Sequence, residues 1–321
     1  MNATSFYLKL LDDIAVPMSE IKKARTKRDE LAAVAVAALD AWAVTATGFF
    51  RSGALAAGTQ IKPLNDVDLV VYASTIRTAW KDAPQQALVD LCAALRAKGF
   101  ECTLSTHAIK VTFPDVSFTA DVVFGCTHPE QGLWIPHCPD AEPHEWIRTD
   151  PQEHARQIRK RNNDIGVEFA RQIRILKVLN QKWSLADPDG RKPISSHHLS
   201  ALALATIHTS VTYATTTPAF LDRAAELVLR PLPDPSGVGP DLEARDPERA
   251  AALMQAAASE TRRALVAGED AGRILEGVFG DPATTLAAIY GAPLSVAAGG
   301  GLTIGTGTRG IGSGRSYGDA A

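Results

Sequence analysis

Cysteine, methionine and aromatic residues are scarce in this chain: four Cys, three Met and 6% Phe, Trp and Tyr among 321 residues. The four cysteines, at positions 92, 102, 126 and 138, fall in ordinary strand-like or loop contexts. That is no disulfide framework, and it fits a reducing compartment. Cys126, His128, His137 and Cys138 crowd within thirteen residues, but their spacing matches no common zinc site. No apolar run reaches the roughly 20 residues that span a bilayer, and the N-terminus lacks the apolar core of a signal peptide. A soluble, cytoplasmic protein without membrane contact is expected. An excess of charge of one sign is missing too: 33 Lys and Arg stand against 36 Asp and Glu, a net charge of -3. This balance gives no long-range pull on a nucleic-acid backbone, so stable DNA or RNA binding is not expected and any phosphate must be held by a local basic cleft. The length allows two domains or one large composite with a sizeable core.

What the chain does have is a small-residue turn from Arg51 to Gly58, running through Thr59 to Asn65 into an apolar strand opened by Asp66 and Asp68. Side chains alternate along a strand, so both carboxylates project from one face while Val67 and Leu69 pack the other. Two anions that close repel, which raises the pKa of one unless a cation neutralises them; a hard divalent ion with oxygen ligands, Mg²⁺ first, does so. A second apolar strand, Ser117 to Phe124, carries Asp121. Alone, Asp121 reads equally as a residue on the wet face of an edge strand. Beside Asp66 and Asp68 it reads as a third metal ligand, since a carboxylate buried without a partner costs several kcal/mol.

Gly53, the pair Asp66 and Asp68, and a later strand Asp121 resemble the nucleotidyltransferase superfamily of the polymerase β type. The stretch GTQIKPLNDVDLVV, Gly58 to Val71, is similar to the bacterial cGAS/DncV-like nucleotidyltransferases, which make cyclic di- or trinucleotides in anti-phage defence. Lys177 on a helix, Ser195 and Ser196 before the next helix, a PLPDP turn at Pro231 to Pro235 and VFG at Val278 to Gly280 follow in the family's order. The resemblance implies an α+β polymerase β-like core with a mixed sheet, plus a C-terminal helical lobe. It implies two Mg²⁺ ions, or Mn²⁺, on Asp66, Asp68 and Asp121, and NTP phosphates gripped by the turn Ser52, Gly53 and Ala54, by Lys177 and by Ser195 or Ser196. One departure stands out: the family usually has Gly-Ser at the turn, whereas here the pair is Gly53-Ala54. Losing one hydroxyl bond to a phosphate costs roughly 1.5–3 kcal/mol. Ser52 or Thr59 is a candidate replacement, and with three acids present the chain is expected to be active.

In order along the chain, periodicity predicts a long bracing helix over 19–46 and a helix over 83–99. Strands are expected near 101–104, 108–113 and 117–124, giving a mixed sheet with helices on one side and the acids near one edge. From Pro151 the sequence turns helical and basic, with Arg156, Arg159, Lys160, Arg161, Arg171, Arg174 and Lys177 as the local basic cleft. For Lys177 the plainer reading is a surface lysine, and for Ser196 a helix N-cap. Helices are expected over 199–213, 219–229, 247–267 and 273–279, with an extended loop at 230–246. The organisation expected is a catalytic core over 1–160, a helical lobe over 161–295 and a Gly-rich tail over 296–321. Nine glycines in the tail's twenty-six residues leave it little to bury, so it is expected to be mobile.

The reaction the resemblance implies is attack of a ribose hydroxyl on the α-phosphate of an NTP with loss of pyrophosphate, closing a ring on repetition. A downstream effector would sense the product, and a ubiquitin-transfer-like partner would act on the C-terminus. Two rivals share the three acids: a template-free RNA-extending or AMP-transferring nucleotidyltransferase, and a nucleotide-binding scaffold with catalysis weakened by Ala54.

Overall fold

The computed structural model describes residues 1–280 apart from 43, 46, 129, 140–142 and 210. The tail over 296–321 and the last part of the expected helical lobe lie outside the described residues. The chain opens with two helices, α1 (Ala3–Asp13) and α2 (Met18–Ala41), then β1 (Gly48–Arg51), a short α3 (Gly53–Ala57) and β2 (Asp66–Ala73). Next come α4 (Thr78–Lys81), α5 (Pro84–Ala97), β3 (Glu101–Leu104), β4 (Ile109–Thr112), β5 (Thr119–Thr127), β6 (Leu133–His137) and β7 (Glu145–Thr149). Helices complete it: α6 (Pro151–Ile165), α7 (Glu168–Leu185), α8 (Ser196–Thr206), α9 (Tyr213–Leu227), α10 (Pro247–Val266) and α11 (Ala271–Phe279). None is long and apolar enough to cross a membrane among the described residues.

The α+β class with a mixed sheet is as expected. The sheet runs β1-β2-β5-β4-β3, with β6 continuing beside β5 and β7 beside β6; β2 and β5 are parallel and the other pairs antiparallel. β5 therefore has neighbours on both sides, and the reading of Asp121 as an edge-strand residue is wrong. The acids sit on two interior strands near one edge of the sheet, β2 lying next to the edge strand β1. β1, β6 and β7 were not anticipated. They are four or five residues long, too short for alternation to stand out, and Pro136 within β6 argues against a strand in the sequence.

One face of the sheet is apolar: Val67, Leu69, Val71, Ala120, Val122 and Phe124 pack with α2 and α5 side chains such as Ala35, Leu39, Leu88 and Leu91. The opposite face carries a small cluster around Val70 and Val123. A separate apolar cluster joins α1 to α6–α11 through Phe6, Tyr7, Phe169, Leu176, Phe220 and Phe279.

Two helix starts follow from a shared Asp-Pro signature. Asp150 and Asp246 accept from the backbone N–H groups of Glu153 and Arg249, at 2.9 and 3.0 Å, with Pro151 and Pro247 at the first helical position. Proline there loses no helical hydrogen bond. The helix expected over 199–213 ends earlier, at Thr206, and α9 begins at Tyr213, six residues before expected, with Pro218 inside. A buried bond from Gln172 to Thr217 Oγ1 (3.0 Å) and the packing of Phe220 outweigh the hydrogen bond Pro218 forfeits.

Candidate active site

Asp66 and Asp68 lie on the face of β2 that also presents Val70, and Asp121 lies on the face of β5 that presents Val123. In the parallel ladder Asp68 stands directly beside Asp121. Adjacent strands are about 4.8 Å apart and in-register partners point to the same side, so the three acids share one face, opposite the α2 and α5 core. Asp121 is 5% exposed. Burial, then the charges of Asp66 and Asp121, push the Asp68 carboxyl up to about 8; Lys177 and the Ala54 backbone N–H, which donates to it, oppose the rise.

The turn closes over these acids. Gly53 has φ +62°, and a Cβ built there would fall 1.6 Å from Asp68 Oδ2; both the backbone sign and the contact demand glycine. Ser52 N donates to Asp68 O at 3.3 Å, pinning the turn to the acid strand. The Ser52 hydroxyl is fully buried and has no hydrogen-bond partner, so a phosphate reaches it only if the turn opens. Thr59, also buried, accepts from Lys177 Nζ at 3.2 Å.

Lys177 and Arg174, three residues apart on α7, face the turn from the helical side. Arg174 donates twice to Gly58 O, at 3.0 and 2.7 Å, and Arg159 from α6 donates to Ala56 O at 3.1 Å. The two guanidinium groups thus satisfy carbonyls at the C-terminal end of α3, where a helix carries partial negative charge. Burial drives the Lys177 ammonium down to about 8, against the pull of Asp66 and Asp68. Desolvation shifts both Asp68 and Lys177 towards their neutral forms, an arrangement typical of functional clefts.

The broader basic cleft expected from α6 is narrower in the structure. Arg156 pairs with Glu153, Lys160 with Asp164 at 2.7 Å, and Arg161 donates to Ile207 O. Ser195, not Ser196, caps α8: its hydroxyl accepts from His198 N at 3.0 Å. The structure therefore gathers Asp66, Asp68, Asp121, Ser52, Gly53, Ala54 and Lys177, while Ser195 and Ser196 lie at the start of α8 with no hydrogen bond to the acids among those described. Among the described residues, those around Cys126 and Cys138 form no ligand group: His137 Nδ1 meets His107 Nε2 at 3.1 Å, and His128 packs on Trp134.

The donor set is all-carboxylate and hard, its central acid is kept from ionising by burial and then by its acidic neighbours, and an oxygen-seeking dication relieves that repulsion. These residues fit Mg²⁺ or Mn²⁺.

No protein-family model and no curated protein matches the chain. Solved structures do. E. coli MS115-1 CdnC with ATP superposes with a TM-score of 0.71 at 18% identity, covering 88% of this chain and 98% of that one. Bradyrhizobium diazoefficiens CD-NTase CdnG, in complex with GTP, gives 0.72 at 15% identity over 88% and 97%. Vibrio cholerae DncV cyclic AMP-GMP synthase, with the linear intermediate 5′ pppA(3′,5′)pG, gives 0.57 at 14% identity over 75% and 70%. The fold is that of these cGAS/DncV-like nucleotidyltransferases.

Proposed function

We propose that the chain is a metal-dependent nucleotidyltransferase that makes a cyclic di- or trinucleotide from NTPs, a second messenger in bacterial anti-phage signalling. The observation that carries this reading is the placing of Asp66, Asp68 and Asp121 on one sheet face beneath the Gly53 turn, with Lys177 opposite. The shared fold supports it, as do the nucleotides bound by CdnC, CdnG and DncV. NTP substrates fit a cytoplasmic location, and a downstream effector would sense the product.

In this reading Asp66, Asp68 and Asp121 are the residues that would hold the two cations. When bound, the two ions neutralise charge on the entering and leaving oxygens of an in-line displacement. Asp121 takes the ribose hydroxyl proton as that oxygen bonds to the α-phosphorus and pyrophosphate departs. Lys177 offsets phosphate charge from the helical side, and Arg174 keeps the turn in place through Gly58 O. Asp68 must release its proton before it can act as a ligand, so loading the site is coupled to proton release. The Ala54 methyl offers phosphate no hydroxyl, and the reading accepts a correspondingly weaker grip.

The test is mass spectrometry of products from purified protein incubated with four NTPs and Mg²⁺, with pyrophosphate release followed in parallel. A phosphatase-resistant product lacking terminal phosphates supports ring closure. Phosphatase-sensitive oligomers of growing length would indicate the RNA-extending alternative. Binding of NTP with no pyrophosphate above the level of Asp66→Asn and Asp68→Asn would indicate a scaffold.

A further inference from the structure

Three side chains distant in sequence meet beside the cleft without a part in the chemistry above. His154 in the first turn of α6, His197 in the first turn of α8 and Asp234 in the loop between α9 and α10 each offer one ligand atom, all within 4.8 Å of one another. The imidazole rings of His154 and His197 stack with centroids 4.1 Å apart and planes 23° apart. His197 Nε2 lies 3.2 Å from Asp234 Oδ1. The other oxygen, Asp234 Oδ2, accepts from Ser236 Oγ and, at 3.1 Å, from Gly239 N. The carboxylate is thereby held with Oδ1 turned to the imidazoles, in a loop tied at its base by reciprocal Leu232 and Leu242 backbone bonds of 2.9 and 2.7 Å. His154 Nδ1 is buried with no hydrogen-bond partner, and a buried polar atom in that state costs about 1–3 kcal/mol.

We propose that His154, His197 and Asp234 form a binding site for a divalent transition metal of the zinc class, separate from the aspartate site. Two imidazoles and one carboxylate are the donors zinc takes, whereas Mg²⁺ takes oxygen alone. Ligand atoms about 2.0–2.1 Å from a tetrahedral ion lie about 3.4 Å apart; closing the present group onto an ion needs side-chain shifts of about an ångström. Ser236 and Gly239 are the outer donors that orient the carboxylate, the support a ligand set requires. Three protein ligands leave a fourth position open. Lys177 is close enough for its charge to act on the His154 ring, so the site borders the nucleotide cleft. The ion joins α6, the α8 start that carries Ser195 and Ser196, and the loop over 231–242, setting their separation. The inference does not rest on the proposed catalysis and stands if the chain turns over no NTP.

The experiment uses tag-free full-length protein, Co²⁺ as spectroscopic probe and Zn²⁺ as competitor, with a large excess of Mg²⁺ in the buffer. Wild type and the Asp66→Asn/Asp68→Asn double variant are each expected to bind one Co²⁺ per chain with the intense visible bands of four-coordinate cobalt, displaced by stoichiometric Zn²⁺. His154→Ala is expected to weaken binding more than 100-fold. Ser236→Ala, which keeps every ligand, is expected to weaken it about 10-fold and serves if His154→Ala does not fold. The proposal is overturned if no Co²⁺ binds at stoichiometric protein, if binding vanishes in the aspartate double variant, or if neither His154→Ala nor Ser236→Ala weakens it.

Discussion

Replacing Asp68 by Asn should stabilise the metal-free protein while removing its activity. In the folded chain the Asp68 carboxyl is raised from 3.8 to about 8, so folding at pH 7.5 takes up a proton that the unfolded chain has lost. A group raised in this way supports the fold fully below its ordinary pKa, and that support drains away as pH rises from about 4 to about 8. At pH 7.5 the undiscounted shift is worth about 5 kcal/mol; partial solvent contact and relaxation of the facing acids reduce the expected gain to about 2 kcal/mol. Asn keeps the size of Asp and an oxygen for the Ala54 N–H, but carries no charge for Asp66 and Asp121 to repel. In EDTA at pH 7.5 the Asp68→Asn melting temperature should exceed that of wild type by about 3 °C. The gap should close as pH falls towards 4.5. Mg²⁺ should reverse the order, because it binds the folded wild type and the variant has lost a ligand. Calorimetry with EDTA or Mg²⁺ across this pH range, beside a pyrophosphate assay, reads all of this. A lower melting temperature for Asp68→Asn in EDTA, or a gap that does not change with pH, refutes the reasoning.

Gly53→Ala places a Cβ against Asp68 Oδ2 at φ +62°; it should cost about 1–3 kcal/mol of stability and at least 100-fold in pyrophosphate release, measured by denaturant melts and steady-state kinetics. Lys177→Met should weaken NTP binding by about ten- to a hundred-fold in titration calorimetry. Because burial lowers the Lys177 ammonium to about 8, wild type should gain stability between about pH 8 and pH 10.5, and Lys177→Met should lose that gain in thermal melts. Ala54→Ser restores a hydroxyl at the turn and should lower the KM for NTP about ten-fold without raising kcat; an unchanged KM would mean that this position does not meet phosphate.

The parts of the fold that could be read from the sequence are those with strong local signals. Asp150-Pro151 and Asp246-Pro247 announce their helices, and the apolar runs of β2 and β5 announce two buried strands. The three acids were legible because a carboxylate amid such runs needs a cation or a partner. Long-range geometry was not legible. Nothing local says that Arg174 reaches back 116 residues to Gly58 O, whereas the Ser195 cap and the i,i+4 pair of Lys160 with Asp164 are local and were open to reading. Still less does the chain order of His154, His197 and Asp234 betray their meeting, which depends on how α6, α8 and the loop over 231–242 pack. The start of α9 was missed because tertiary contacts at Thr217 and Phe220 overrule the helix-breaking tendency of Pro218.

The parallel pairing of β2 with β5 makes the carboxylate site unforgiving of frame errors within a strand. Because side chains switch sides at every residue, moving β5 by one position would carry Asp121 through the sheet into the packing of α2 and α5, and bring Ala120 or Val122 out in its place. A one-residue insertion between Thr119 and Asp121 thus threatens hydrophobic packing and the carboxylate cluster together. Greasy residues with no polar atom to offer act here as the ruler of the carboxylate cluster: the layer that keeps water out also decides which way the acids look.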